Sequence, residues 1–190
     1  NNLSNLLSLL VDYSMDLKSL LLKVNDYIRG EGLTLHSTIT NLADYNRMSK
    51  AMTTKYQKYP KYLLSTHHIT VKNYNSFRET YEEQAFLNQV DKSLAHKGVT
   101  YSVLTAEKSQ DIKDEGATLH HCVASYVRSI ISGTTQIVFL RSNKQLDKPL
   151  VTIEVKDNNV YQAKGTYNRA VTEDELKFIH TYAKAHNLGV

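Results

Sequence analysis

Leu150-Val151-Thr152-Ile153-Glu154-Val155-Lys156-Asp157-Asn158-Asn159-Val160-Tyr161-Gln162-Ala163-Lys164 is the stretch that decides the fold. Val151, Ile153 and Val155 share one face of an extended chain, and Leu150, Thr152 and Glu154 share the other, which is the period-2 pattern of a strand. Asp157-Asn158-Asn159 is turn chemistry, so Val160–Lys164 returns as a second strand and the two form a hairpin. Working outward, Thr135–Arg141 reads as a further strand, and Val99, Tyr101 and Val103 alternate with polar residues as another. Between these, Ser109 caps a short helix through Glu115 that Gly116 stops, and the segment after it runs helically to Gly133. Downstream, Thr172-Glu173-Asp174-Glu175 is a capping box, opening a last helix to about His186.

Upstream of residue 99 the period is helical. Leu6, Leu10, Tyr13, Leu17, Leu20, Leu21, Val24 and Ile28 recur at three- and four-residue spacing, as one long helix or a broken pair stopped by Gly30 and Gly32. Ile39, Leu42, Tyr45, Met48 and Met52 form a second stripe ending before Pro60. Val71, Tyr74, Phe77, Tyr81, Leu87, Val90 and Leu94 form a third, ending near Gly98. The fold class expected is therefore α+β: an N-terminal helical region followed by a small antiparallel or mixed sheet with helices on one face. The organisation expected is a helical region over 1–98 and an α+β core over 99–190, or one continuous domain. No glycine-rich phosphate turn follows a strand and no P-loop occurs, so nucleotide-binding α/β folds are disfavoured.

The chain has 190 residues, 41% hydrophobic and 22% charged, an ordinary globular balance. One cysteine excludes an intrachain disulfide and suits a reducing cytoplasm. No apolar run approaches the roughly 20 residues that span a bilayer, so no membrane partner is expected. The leucine-rich start, broken by Asp12, Asp16 and Lys18, reads as a buried amphipathic helix. The absence of an initiator Met suggests a processed chain or a piece of a longer one. A net charge of +4 permits polyanion binding without demanding it.

Leu119-His120-His121-Cys122-Val123-Ala124-Ser125-Tyr126 concentrates the reactive side chains. With a helix starting near Thr118 or Leu119, Cys122 falls in its first turn, where the positive helix end and a neighbouring imidazole prepare a thiolate. A small buried hydrophobe is the other reading of that cysteine. On a helix His120 and His121 point about 100° apart, so only one shares a pocket with Cys122; either is a natural acid or base. Adjacent His-His-Cys lacks ligand spacing, and no metal or other cofactor is assigned. Glu154 is a solvated carboxylate unless a helix or the Asn168 loop covers its face, in which case it partners a histidine or Arg141. Gln162 pairs across from Glu154, Gly165 permits a tight turn, and Asn168-Arg169 ends the strand with an amide and a guanidinium. Arg141 clamps a phosphate or is solvated. A second histidine pair, His67-His68, follows Lys55, Lys58 and Lys61 interleaved with Tyr56, Tyr59 and Tyr62, either a nucleic-acid-tracking surface or solvated lysines beside core tyrosines.

Together these residues resemble the PcfJ-like domain family of conjugative plasmids, phages and other mobile elements. The resemblance runs from about 40 to 170 and rests on Asp111-Ile112 through Gly116, Leu119-His120-His121-Cys122-Val123 with Tyr126, and Gly133. It continues through Phe139-Leu140-Arg141, Pro149, Thr152-Ile153-Glu154 and Gln162-x-x-Gly165-x-x-Asn168. Upstream, Tyr59-Pro60-Lys61-Tyr62-Leu63, His67 and Asn73-Tyr74 also match, and Ala124 departs from an expected Gly. The resemblance implies a genomic setting rather than a reaction, and joins the downstream segments to the histidines in one site.

The first expectation for function is a cytoplasmic mobile-element protein acting on RNA or DNA as a metal-independent nuclease-like enzyme. His120 or His121 supplies acid or base, Glu154, Gln162 and Asn168 orient the reacting groups, and Arg141, Lys164, Arg169, Lys58 and Lys61 contact nucleic acid. Cys122 is the nucleophile of the alternative, a thiol-dependent transferase or hydrolase. A binding module without catalysis is the third: a conjugation accessory protein, or an inhibitor of host defence such as an anti-CRISPR, acting on a nucleoprotein complex. The sequence assigns no oligomeric state.

Overall fold

The computed structural model describes residues 2–53, 55–123 and 125–190. The chain divides into two compact units, 1–80 and 81–190. The division falls inside α4 (Leu63–Gln89), upstream of the change of period at residue 99.

In unit 1 the leucine-rich start is a broken pair, α1 (Asn2–Val11) and α2 (Leu17–Glu31). Asp16 caps α2 by accepting from the Ser19 amide, and Gly32, left-handed at φ 67°, ends it. Gly30 lies inside the helix, so only the second glycine is the stop. α3 (Leu35–Met52) starts on Thr34, whose hydroxyl accepts from the Ser37 amide. Leu9, Leu20, Val24, Tyr27, Leu42, Tyr45 and Leu63 form the core of this unit. The Glu31 carboxylate accepts from the Leu63 and Leu64 amides at 2.6 and 2.9 Å and so caps α4.

Unit 2 is an antiparallel meander in the order β1-β2-β3-β4-β5. Its strands are β1 (His96–Lys97), β2 (Tyr101–Thr105), β3 (Gln136–Ser142), β4 (Val151–Lys156) and β5 (Asn159–Gly165). The expected third helix stops at Gln89, and His96–Lys97 forms the edge strand instead, pairing with Ser102 and Val103. The β4–β5 turn is Asp157-Asn158, both at positive φ, the two-residue hairpin geometry whose twist matches the strands. α5 (Ser109–Leu119) and α6 (Tyr126–Ile131) lie between β2 and β3 in sequence, and α7 (Glu173–Ala185) follows β5 on its Thr172–Glu175 capping box.

The helices cover both faces of the sheet, not one. Val103, Val138, Leu140, Val151, Ile153 and Val155 pack with Ile179 and Tyr182 of α7. The opposite residues of β3, Ile137 and Phe139, pack with Phe86, Ile112, Val123 and Ile130 from α4, α5 and α6. Thr152 and Glu154 therefore face this second layer, and both are buried.

The break between the two helices expected on either side of Gly116 comes later, after Leu119, and the second helix is only Tyr126–Ile131. α5 runs through Gly116 to Leu119 and ends on His120, left-handed at φ 55°. The chain then doubles back: the His121 amide donates to the Gly116 carbonyl at 3.1 Å. A Cβ on Gly116 would lie 2.8 Å from Val123 Cγ2 and 2.9 Å from the His121 carbonyl oxygen. Gly116 is thus a packing glycine under the reversal and not a helix stop. Replacing a helix-interior Gly by Ala ordinarily stabilises by about 1 kcal/mol. Gly116→Ala is expected to reverse that sign, costing about 1–3 kcal/mol through overpacking, read as a lower urea midpoint at unchanged slope.

Candidate active site

The reversal after α5 brings the predicted residues together. A pocket of about 270 Å³ in unit 2 is lined by His120, His121, Cys122, Tyr126, Thr152, Glu154, Gln162, Lys164 and Asn168, with Val123 and Ile137 at its apolar side. Strand register explains half of this set: Glu154 lies opposite Gln162, and Thr152 opposite Lys164, all on the face toward α5 and α6. The other half follows from His120. Its left-handed backbone breaks the helical stagger, so both histidines and the cysteine line one pocket, contrary to the helical expectation. Cys122 follows the C-terminal end of α5 and does not lie in the first turn of a helix, contrary to expectation. It is exposed, which also removes the buried-hydrophobe reading.

Glu154 is covered, so the solvated reading is overturned. Its Oε2 accepts from Tyr126 Oη at 3.0 Å and from Gln162 Nε2 at 2.6 Å, and its Oε1 accepts from Thr135 Oγ1 at 3.1 Å. Gln162 Nε2 also donates to Tyr126 Oη at 3.0 Å, closing a triangle. Glu154 therefore fixes Tyr126 and Gln162, and partners neither histidine nor Arg141. Burial, reinforced by the Glu154 carboxylate, pushes the Tyr126 phenol above its ordinary value, so it stays protonated.

A second buried carboxylate was missed. Glu115 binds Arg141 in a two-pronged pair, Nη1 to Oε1 at 3.0 Å and Nη2 to Oε2 at 2.5 Å. Thr152 Oγ1 donates to Glu115 Oε1 at 3.2 Å and lies 3.4 Å from His121 Nε2. Because an ionised carboxylate only accepts, the Thr152 proton points at Glu115 and its lone pair toward the imidazole. That arrangement places Thr152 Oγ1 beside the imidazole as an acceptor, whichever ring nitrogen carries the proton. Burial holds His121 below the ordinary imidazole value, with the Glu115 charge and its own backbone carbonyl opposing the shift.

The cations separate. Lys164 is the one Lys or Arg lining the pocket among the described residues. Arg141 is engaged by Glu115, and Arg169 donates to both oxygens of Glu175 at 2.8 Å. A Cβ on Gly165 would meet Arg169 Nε at 2.6 Å, and its φ of −92° is open to any residue. Gly165 thus makes room for Arg169 and does not form a left-handed turn. Lys58 and Lys61 belong to unit 1, where Lys58 Nζ donates to the Tyr13 carbonyl at 2.5 Å and Lys61 Nζ lies 5.2 Å from the Tyr62 ring centre. His67, also in unit 1, lies 4.0 Å from Asp44.

Two residues lining the pocket, His120 and Asn168, and Tyr167 beside them hold left-handed backbones without being glycine, at φ 55°, 58° and 54°. Such conformations cost of order 1–3 kcal/mol each and gather at functional sites. The His120 and Tyr167 rings stack in parallel, 4.5 Å apart at 5°. Among the described residues no group of three or more His, Cys, Asp or Glu is placed to hold a metal ion.

A family model described as PcfJ-like protein matches residues 41–179. The chain belongs to the PcfJ-like family. An uncharacterized protein of Listeria innocua serovar 6a, Lin1253/Lin1744, is 30% identical to it over 128 residues, covering 65% of this PcfJ-like chain and 28% of the relative. The chain thus spans less than a third of that relative's length. No solved structure matches it. The family segment contains the whole pocket, and the departure at Ala124 lies outside the described residues.

Two outcomes follow from the buried network. Glu115→Ala strands Arg141 without its partner and is expected to cost about 3–5 kcal/mol in chemical denaturation, whereas the paired Glu115→Leu/Arg141→Met replacement is near neutral. For His121, a folded value below the ordinary 6.5 means the unfolded chain takes up a proton that the folded chain refuses. Its contribution to stability is therefore lost as pH falls from 6.5 through the folded value. An NMR titration of the His121 ring should show a midpoint below 6.5 that drops further in Glu115→Gln, because the attractive charge is gone.

Proposed function

We propose that the pocket is a metal-independent acid–base site acting on a phosphodiester of RNA or DNA. The observation that supports this best is the convergence of His121, Glu154, Gln162 and Asn168 on one accessible cleft that also holds Lys164. His121, neutral near pH 7, takes the proton from the attacking hydroxyl or water. Lys164 neutralises a non-bridging phosphate oxygen and Asn168 orients the phosphate, while Gln162, whose two N–H groups are held by Glu154 and Tyr126, offers its carbonyl oxygen to a hydroxyl or base N–H of the substrate. His120 returns a proton to the leaving oxygen as the phosphorus–oxygen bond breaks. Glu154 and Tyr126 act behind these groups by holding Gln162 in place.

The pocket is small. Ligand cavities run to roughly 300–1,000 Å³, so this one takes a single nucleotide-sized unit and not a length of duplex. The family resemblance supports a plasmid or phage setting and work in the cytoplasm; no helix among the described residues is long and apolar enough to cross a membrane. A second reading is favoured by one observation, the exposed Cys122 thiol on the same wall as His121. There Cys122 is the nucleophile and His121 its base, in a thiol-dependent transferase or hydrolase.

The test incubates labelled single-stranded RNA and DNA with wild type, His121→Ala and Cys122→Ser, each with EDTA. Cleavage by wild type that survives EDTA, a fall of about 10²–10⁴-fold in His121→Ala, and full activity in Cys122→Ser are expected. Loss of activity in Cys122→Ser moves the chemistry to the thiol. No turnover by wild type on any strand removes the enzymatic reading and leaves a binding module. Its affinity for a single strand would then fall with salt at a log–log slope of about −0.7 per phosphate neutralised.

A further inference from the structure

Tyr167 is 72% exposed, yet nothing about it is loose. It sits in the tight turn Thr166–Asn168 after β5, where the Gly165 amide donates to the Arg169 carbonyl at 3.0 Å and the Arg169 amide to the Thr166 carbonyl at 3.1 Å. The two-pronged ion pair of Arg169 with Glu175 anchors that turn to α7. A bulky residue at positive φ is an outlier that glycine would relieve. Here the strained backbone mounts a large aromatic ring in solvent.

Among the described residues, the ring of His120 covers it. His120, exposed and itself left-handed, lies parallel on the Tyr167 face, at the separation of an offset stack. A histidine–tyrosine pair at the surface buries little and is held by two strained residues, so the contact does not account for its own cost. What the pair does provide is a flat aromatic face beside a pocket whose other walls carry Gln162, Asn168 and Lys164. An aromatic face, an amide edge and one cation are the groups that recognise an unpaired nucleobase with its phosphate.

We propose that Tyr167 is the stacking platform for one unpaired nucleobase of the substrate strand and that His120 holds its place in the free protein. The base displaces the imidazole from the Tyr167 face, and the released His120 turns toward the leaving oxygen. This rests on the reading of the pocket as a nucleic-acid site and adds what selects the substrate: a splayed, single-stranded base rather than duplex. Specificity comes from shape and edge contacts, because every base has a stackable face.

The experiment measures binding of fluorescein-labelled single-stranded hexanucleotides, DNA and RNA, and of abasic strands of equal length, by anisotropy. Tyr167→Ala and Tyr167→Gly are expected to bind intact strands roughly 5- to 150-fold more weakly, the range of one lost base–aromatic stack. Tyr167→Gly should also melt no lower than wild type, since glycine adopts the left-handed turn without strain, which separates lost binding from lost fold. Tyr167→Phe keeps wild-type affinity. His120→Ala binds as tightly as wild type or tighter, because the competing ring is gone, although its turnover falls. Abasic strands bind wild type and Tyr167→Ala alike. If Tyr167→Ala binds intact strands as well as wild type, or His120→Ala weakens binding as much as Tyr167→Ala, the platform is overturned while the nucleic-acid reading stands. If wild type binds no strand of either kind, both fall.

Discussion

Glu115 and Arg141 meet between α5 and β3 with almost no solvent around either, and the site depends on that meeting. A charge buried without a partner costs several kcal/mol, so each side chain fixes the position of the other. Arg141 also lies over the Phe139 ring at 5.0 Å and donates to the Leu140 carbonyl, which ties the pair to β3. Glu115 in turn accepts from Thr152 on β4. One carboxylate therefore locks α5 to two strands. The chain can then reverse at His120 only in one register, and His121 arrives beside Thr152. The same interaction that docks the helix also fixes where the imidazole sits.

Much of unit 2 was legible because its signals are local. The hairpin announces itself in the alternation of Val151, Ile153 and Val155 and in Asp157-Asn158, residues that tolerate positive φ. The Thr172–Glu175 box marks the start of α7 without reference to anything distant. The convergence of Glu154 with Gln162 follows from antiparallel register once the hairpin is granted. The break after α5 is different. Leu119 through Tyr126 carries an apolar pattern compatible with helix, and His120 is no glycine. The reversal there brings His121 and Val123 close onto Gly116, a contact invisible to a periodicity reading, which places Gly116 at the end of one helix and His121 and Val123 in the next.

Two misreadings came from judging polar residues one at a time. Ile112, Glu115 and Leu119 share the buried stripe of α5, and a carboxylate on an apolar stripe requires a buried partner. Arg141, ending a strand whose other residues are core, was the available cation. Read as a pair they would have predicted each other, and Arg141 would not have been offered to phosphate. Glu154 was misjudged for the opposite reason: its face seemed free because the helices were expected on one side of the sheet. With α5 and α6 on that side, its two oxygens gather Tyr126, Gln162 and Thr135.

The distribution of charge narrows what the pocket can hold. Residues 1–80 carry ten Lys and Arg against six Asp and Glu, while residues 81–190 carry thirteen of each. All of the net positive charge thus belongs to the helical unit, and the unit with the pocket is neutral. A neutral body does not grip a polyanion by its backbone, because affinity of that kind comes from releasing counterions at many phosphates. If the pocket takes a nucleic acid as proposed, recognition comes from short-range terms: one ammonium, two amides and a flat ring. On the proposed nucleic-acid reading, such terms act on one nucleotide at a time, and they act best where water is displaced from a small concave site. The neutrality of unit 2 and the modest size of its pocket are therefore two aspects of the same constraint.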